Sequence, residues 1–246
     1  MQDFKSGTLY FIHALWREKM KIILWDIDGT LLNFLEAEKE AIRACFAKFN
    51  LGECSDEMIQ TYSRINRGYW ERLERGEISK NEVLVGRFYD FFAQYGLDTS
   101  VAVEFNAEYQ VRLGDTICFN DNGFEIIKAC KGKVLQYAVT NGTKIAQDRK
   151  LKKSGLINLL DGVFISDEIG IEKPAVGFFE EVFRNIEMCD KTEILIVGDS
   201  LSSDMQGGIN AGIVTCWYNP DRKTNDKGLN VDYEIHDLHQ VLDIIN

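Results

Sequence analysis

Proline is nearly absent: Pro174 and Pro220 are its two instances in 246 residues, so long helices meet little interruption. No C-x-x-C pair occurs. The six cysteines (Cys45, Cys54, Cys118, Cys130, Cys189 and Cys216) are scattered, mostly through apolar periodic segments where a free thiol packs as a small hydrophobe. That usage points to a reducing, cytoplasmic setting. No apolar run reaches the length of a membrane span. Positive charge is in deficit, with 28 Lys and Arg against 39 Asp and Glu and a net charge of −11. Such a balance argues against a nucleic-acid polymer or a phospholipid surface as partner, while a single small anion can still be held by helix N-termini, a lysine or a metal ion.

Hydrophobic residues make up 45% of the chain, enough for a full core. Six short apolar runs end in polar or glycine-bearing turns: "KIILWD", "LQYAVTNG", "GVFISDE", "EILIVGDS", "GIVTCWYN" and the weaker "DYEI". Helical patterns separate the later ones, as in "GFEIIKACKG", "GTKIAQDRKLKKSGL" and "AVGFFEEVFRNIEM". Strand alternating with helix predicts an α/β fold, a doubly wound parallel sheet covered on both faces. Between Leu32 and about Asp115 the alternation breaks into four amphipathic helical patterns. The expected division is therefore an α/β core at 21–32 and 116–246 with a helical insert at 33–115. Residues 1–20 contain an apolar patch without a small-residue cleavage site and are set aside as an N-terminal extension, not necessarily native.

The polar residues worth attention fall at the ends of these strands, where open α/β sheets gather ligands. Asp26 and Asp28 follow the first strand; at i and i+2 on an extended chain they would point the same way and repel. Thr140, Asn141 and Gly142 follow the second, Lys173 comes after the third, and "GDSLSSD" after the fourth supplies Asp199, Ser200 and Asp204. Singly, each has an ordinary explanation as a turn, a cap or a solvated loop lysine. Together, Asp26, Asp28 and Asp199 on one edge, with few nearby cations, call for a divalent metal. All the candidate ligands there are oxygens, which favours Mg²⁺ completed by water and a substrate phosphate. His236 and His239, at i, i+3 spacing, are read as a solvated helix face. Tyr69 and Trp70 are read as packing among the inserted helices, with stacking on a base as the lesser alternative.

In this order and on these strands, "DIDGT", "TNG", "EKP" and "GDSLSSD" resemble the four motifs of the haloacid dehalogenase superfamily, over the chain from about Lys21 onward, and the helical insert resembles that superfamily's cap. More narrowly, "INRGYWERLERGEIS", "GRF" and "GGINAGIVTCWYN" look like the pyrimidine 5′-nucleotidases called house-cleaning nucleotide phosphatases. The resemblance implies an Mg²⁺-dependent phosphomonoesterase acting on a small phosphorylated metabolite. Asp26 would be the nucleophile and Asp28 the general acid and base. Metal would be held by Asp26, Asp199 and the backbone carbonyl of Asp28. Thr140, Asn141 and Lys173 would contact phosphate, Asp204 would orient Lys173 or a metal-bound water, and Ser200 would steady the acidic loop. The superfamily's dehalogenases lack an acid at the position of Asp28, so its presence favours phosphatase chemistry. The alternatives are a sugar-phosphate phosphatase or phosphomutase on the same scaffold, and a catalytically silent phosphate-binding module.

Overall fold

The computed structural model describes residues 19–186 and 190–245. The expectations placed on residues 1–18 and on Cys189 lie outside them. Six parallel strands form one sheet: β1 (Ile22–Trp25), β2 (Leu135–Thr140), β3 (Gly162–Ile165), β4 (Ile194–Gly198), β5 (Val214–Tyr218) and β6 (Tyr233–Ile235), in the order β3-β2-β1-β4-β5-β6. All six apolar runs of the sequence are strands, including the weak last one.

β1 lies inside the sheet, so both its faces need cover, and its four residues are all buried. Successive side chains alternate between layers. Ile23 and Trp25 join a core with Ile126, Ile127 and Leu151, contributed by α5 (Gly123–Cys130) and α6 (Lys144–Ser154). Ile22 and Leu24 face the opposite layer with Phe178, Phe179 and Ala211, from α8 (Val176–Asn185) and α9 (Gln206–Ala211). A short α7 (Ser166–Ile169) follows β3, and α10 (Val241–Ile245) closes the chain. Met20, which the sequence reading set aside with the extension, is 6% exposed and packs into the first of these cores.

Between β1 and α5 the chain forms α1 (Phe34–Phe49), α2 (Asp56–Glu74), α3 (Lys80–Gln94) and α4 (Ala102–Asp115). Their starts are set by capping: Asn33 accepts from Glu36 N, Ser55 from Met58 N, and Ser79 and Glu82 form a reciprocal capping box. These helices share an aromatic-rich core of their own, in which Phe88, Phe92 and Tyr109 contact Phe105 or one another at tilted and edge-on angles. The outgoing and returning chains run side by side, with Asn33 N donating to Cys118 O at 2.8 Å and Asn120 N to Leu31 O at 3.0 Å. Below them, α4 approaches α6 closely: a Cβ added at Gly114 would lie 2.9 Å from Ala146 O. Among the described residues five cysteines are free, and no helix is long and apolar enough to cross a membrane.

Register sets the site. Trp25 pairs with Ala138 on one side and Val197 on the other, and Asp26 N continues the ladder to Val197 O at 2.9 Å. Asp26, Thr140 and Asp199 therefore emerge along one edge of the sheet.

The layering is close enough to test with glycines. A Cβ at Gly208, on α9, would sit 2.7 Å from both Ile196 Cγ2 and Thr215 Cγ2, whereas one at Gly68, on α2, would meet nothing within 4 Å. Gly208→Ala should lower stability by about 1–3 kcal/mol through overpacking. Gly68→Ala should raise it by roughly 0.5–1 kcal/mol through helix propensity. Urea denaturation of the two variants checks both signs.

Candidate active site

β1 ends at Trp25, and residues 27–31 form a turn rather than further strand. This corrects the expectation that Asp26 and Asp28 crowd one volume as strand neighbours. Asp28 turns away to α6, where its Oδ2 accepts from Gln147 Nε2 at 2.6 Å and its Oδ1 pairs with Lys150 Nζ. Lys150 is buried at 1% exposure. The crowded carboxylates are instead Asp26, Asp199 and Asp204, whose oxygens lie within 4.8 Å of one another.

Lys173 is the counterweight. The sequence allowed it to be a solvated loop residue, but it is 1% exposed. Its loop is clasped by Asn141, whose Oδ1 accepts from Lys173 N and whose Nδ2 donates to Lys173 O, both at 2.8 Å. The ammonium then spends its three donors on Asp26 Oδ1 (2.9 Å), Asp204 Oδ1 (2.6 Å) and Val139 O (2.8 Å). Burial opposes this charge, yet Asp204 and Asp26 outweigh it and hold the lysine above its ordinary range. One cation does not neutralise three carboxylates. Burial, then Asp204, pushes Asp26 well up, with Lys173 only partly offsetting them. Asp199 is pushed up to about 7 by burial and then Asp204.

Thr30 ties the two acidic strand ends together, donating from Oγ1 to Asp26 Oδ2 and accepting from Asp199 N, each at 3.0 Å. Gly29 makes the turn possible. Its φ is +95°, and a Cβ there would lie 2.6 Å from Asp199 Oδ2, so a side chain is excluded both by backbone conformation and by contact. Beyond β4, Ser200 caps a π-helical turn over Leu201–Met205 by accepting from Ser203 N at 3.1 Å. Asp204 commits Oδ1 to Lys173 and Oδ2 to Ser200 N at 3.1 Å. Thr140 accepts from Gly142 N at 3.1 Å, which leaves its hydroxyl hydrogen to donate.

The donor set fits a hard divalent cation: clustered carboxylate oxygens, under-neutralised and buried, with no soft ligand among them. Asp199 has the least committed carboxylate, whereas Asp26 and Asp204 each have both oxygens hydrogen-bonded. Asp28 does not join the cluster through its carboxylate, so any share it took would come through its backbone carbonyl.

A cavity of about 210 Å³ opens above this edge. Its floor carries Asp26, Thr140, Lys173 and Asp199, and its roof and walls add Phe34, Trp70, Glu74 and Arg87 from α1, α2 and α3. Trp70 thus departs from the packing expectation: it is half-buried and faces the cavity, outside the aromatic core of the helices. Tyr69 does pack, donating to Asp90 Oδ2 at 2.8 Å and filling the space over Gly86. His236 lies before the final helical turn, with Nδ1 2.8 Å from Asn219 O, and His239 is exposed beside Asp237. Sequence reasoning missed Thr30, Gln147, Lys150, Glu74 and Arg87. A signal existed for two of them. Ala146, Gln147, Lys150 and Leu151 are the buried stripe of α6, and a glutamine and a lysine in such a stripe need partners.

The fold and the acidic edge together define a doubly wound α/β enzyme with its site at the carboxyl ends of the strands. The model for haloacid dehalogenase-like hydrolases matches residues 23–218, and the chain belongs to that family. The HAD-hydrolase YfnB of Bacillus subtilis is 34% identical over 229 residues, 93% of this chain and 97% of that protein. The pyrimidine 5′-nucleotidase PynA of Streptococcus pneumoniae is 32% identical over 233 residues, with 92% and 95% covered. The pyrimidine 5′-nucleotidase YjjG of Escherichia coli is 25% identical over 219 residues, with 89% and 95% covered. A crystal structure of YfnB bound to magnesium, which reveals interdomain movement in that protein, superposes with a TM-score of 0.86 at 33% identity, covering 93% of this chain and all of that one. The chain is an enzyme, a phosphatase-type hydrolase.

Replacing Gly29 tests the closeness of the turn to Asp199. Gly29→Ala should cost about 1–3 kcal/mol of stability from the forced backbone conformation. It should also reduce phosphatase turnover at least about tenfold by moving Asp199, a displacement of the kind that costs rate through misplaced groups. Urea denaturation and steady-state kinetics on the same preparation measure the two effects.

Proposed function

We propose that the protein is an Mg²⁺-dependent phosphomonoesterase acting through an aspartyl-phosphate on Asp26, with nucleoside 5′-monophosphates as substrates and pyrimidine bases preferred. Residues 33–115 would serve as a cap over a core of 21–32 and 116–246, in a reducing, cytoplasmic setting. The observation that carries the reading is the placement of Asp26: its carboxylate is held by Lys173 and Thr30 on the floor of a cavity that Asp28 also lines. The narrower substrate reading is supported by two relatives named as pyrimidine 5′-nucleotidases that match nearly the whole chain.

In the first step an Asp26 oxygen attacks phosphorus in line, the ester P–O bond breaks, and Asp28 gives a proton to the departing alkoxide. In the second, Asp28 takes a proton from water as it attacks the phosphoaspartate, which releases phosphate and restores Asp26. Lys173 and the Thr140 hydroxyl stabilise the charge that gathers on the phosphoryl oxygens. Gln147 and Lys150 fix the Asp28 carboxyl on the cavity wall. Asp26, Asp199 and the Asp28 carbonyl would hold Mg²⁺, which when bound neutralises the acidic edge and polarises the phosphoryl group.

Asp26→Asn should abolish turnover, since an amide cannot be the nucleophile. Its stability without metal should be equal to or above that of the parent, because burial and two neighbouring carboxylates disfavour the Asp26 carboxylate and push its pKa up. Near-normal hydrolysis in this variant would rule out the covalent route. Kinetics in Mg²⁺ with UMP, dUMP, dTMP, AMP, GMP and several sugar phosphates should rank the pyrimidine nucleotides first by kcat/KM, with hydrolysis lost in excess chelator. A sugar phosphate at the head of that ranking would replace the nucleotidase reading with the sugar-phosphatase one and leave the phosphatase chemistry standing.

A further inference from the structure

The roof of the cavity contains a cation with little to do inside the protein. Arg87, on α3, is 2% exposed. Its Nη1 donates to Asn66 Oδ1 at 2.6 Å and its Nη2 to Asn106 Oδ1 at 3.2 Å, both neutral amides. Its Nε has no acceptor. Glu38 acts on it as a nearby charge, linked by hydrogen bonds through Asn66, whose Nδ2 donates to Glu38 Oε2 at 2.8 Å. The guanidinium is held flat by the faces of Phe88 and Tyr109, whose ring centroids are 5.0 Å and 5.1 Å away. A buried donor without an acceptor is costly, and a rigid fork of donors is suited to a fixed planar partner. Arg87 also lines the cavity.

The rest of the cavity narrows what that partner can be. Glu74, at the end of α2, lines the cavity, and burial raises its carboxyl above the ordinary range, with Ser202 partly offsetting it. A second anionic group on the substrate would be repelled by this carboxylate, whereas a hydroxyl or ring N–H would not. Phe34, Trp70 and Leu113 supply flat or apolar wall, which suits a ring better than a hydroxyl-covered sugar. The chemistry these groups would accept is a planar heterocycle with a carbonyl acceptor and an N–H or hydroxyl donor close by.

We propose that Arg87 is a specificity-determining residue whose guanidinium donates to a ring carbonyl oxygen of the leaving group, and so selects oxo-pyrimidine nucleotides over phosphate esters without a base. This rests on the nucleotidase reading. It extends that reading by naming the group that reads the base. The Arg87 charge is tolerated within the protein through Asn66 and Glu38, and Nη1 and Nη2 each keep a second N–H beyond their bonds to Asn66 and Asn106.

The test is the ratio of kcat/KM for UMP to kcat/KM for ribose 5-phosphate, in the parent enzyme and in Arg87→Met and Arg87→Lys. Arg87→Met should reduce the ratio at least tenfold, with the loss falling mainly on KM for UMP. Arg87→Lys keeps the charge but loses Nε and the planar fork; it should reduce the ratio at least threefold, and it decides the matter if the Met variant does not fold. An unchanged ratio in a folded variant overturns the role of Arg87 while the nucleotidase reading survives. A parent enzyme that prefers ribose 5-phosphate overturns both. As an independent measurement on the parent enzyme, uridine should inhibit p-nitrophenyl phosphate hydrolysis at a concentration at least tenfold lower than ribose does. Equal inhibition by the two would remove base recognition from this cavity.

Discussion

The ammonium of Lys173 is the interaction on which the site depends. Three carboxylates from two segments meet at one sheet edge, and the geometry holds them there although burial favours the neutral forms of Asp26 and Asp199. Lys173 makes the cluster tolerable without making it neutral, because it contacts Asp26 and Asp204 at once and anchors to Val139 O with its third donor. Removing one partner of such a buried set leaves an uncompensated charge. Asn141, Thr30 and Ser200 are then best understood as the scaffold of this balance: one clasps the lysine's backbone, one bridges Asp26 to Asp199, and one caps the turn that carries Asp204.

A second ion pair repeats the principle at lower net charge. Asp28 faces Lys150 and Gln147, so the cavity has two carboxylates with separate cationic partners rather than one shared pair. The separation gives each carboxylate its own set of donors, so the position of one does not depend on the partners of the other. It arises because β1 stops at Trp25 and the following turn redirects Asp28 toward α6.

Much of this was legible in the sequence. The six strands, the four inserted helices and the acidic edge are local patterns: apolar runs closed by turns, capping residues, and polar residues placed just after strands. What was not legible depends on contacts made at long range. Lys150 lies 122 residues from Asp28 in sequence, and within "KIAQDRKLKKS" it resembles the solvated lysines around it. Arg87 and Glu74 sit on helices whose charge pattern reads as surface, until packing turns those two side chains inward over the strand edge. Trp70 was misread for the related reason that helical spacing identifies a buried face without saying whether protein or cavity lies against it.

The helices that roof the cavity are joined to the sheet in two ways of unequal kind. At α4 and α6 the contact is close and continuous: Ala146 shares the helices' core, and Asp115 pairs with Arg149 at 2.6 Å and Lys153 at 2.9 Å. At the far rim the link is polar and falls largely to Lys80, whose ammonium donates to Ser166 Oγ at 2.9 Å and Gly142 O at 3.3 Å, with Asp167 and Glu172 at 3.5 and 3.7 Å. Apolar interdigitation resists separation, whereas polar contacts can be exchanged for water at small net cost. The α4–α6 side is therefore the firmer edge of the roof and the Lys80 side the weaker one. Gly142 follows Thr140 and Asn141, and Glu172 precedes Lys173, so this polar edge ends on the two loops that carry those cavity-lining residues. The carboxylate balance around Lys173 depends on neither edge, since every partner of that ammonium belongs to the sheet and its loops.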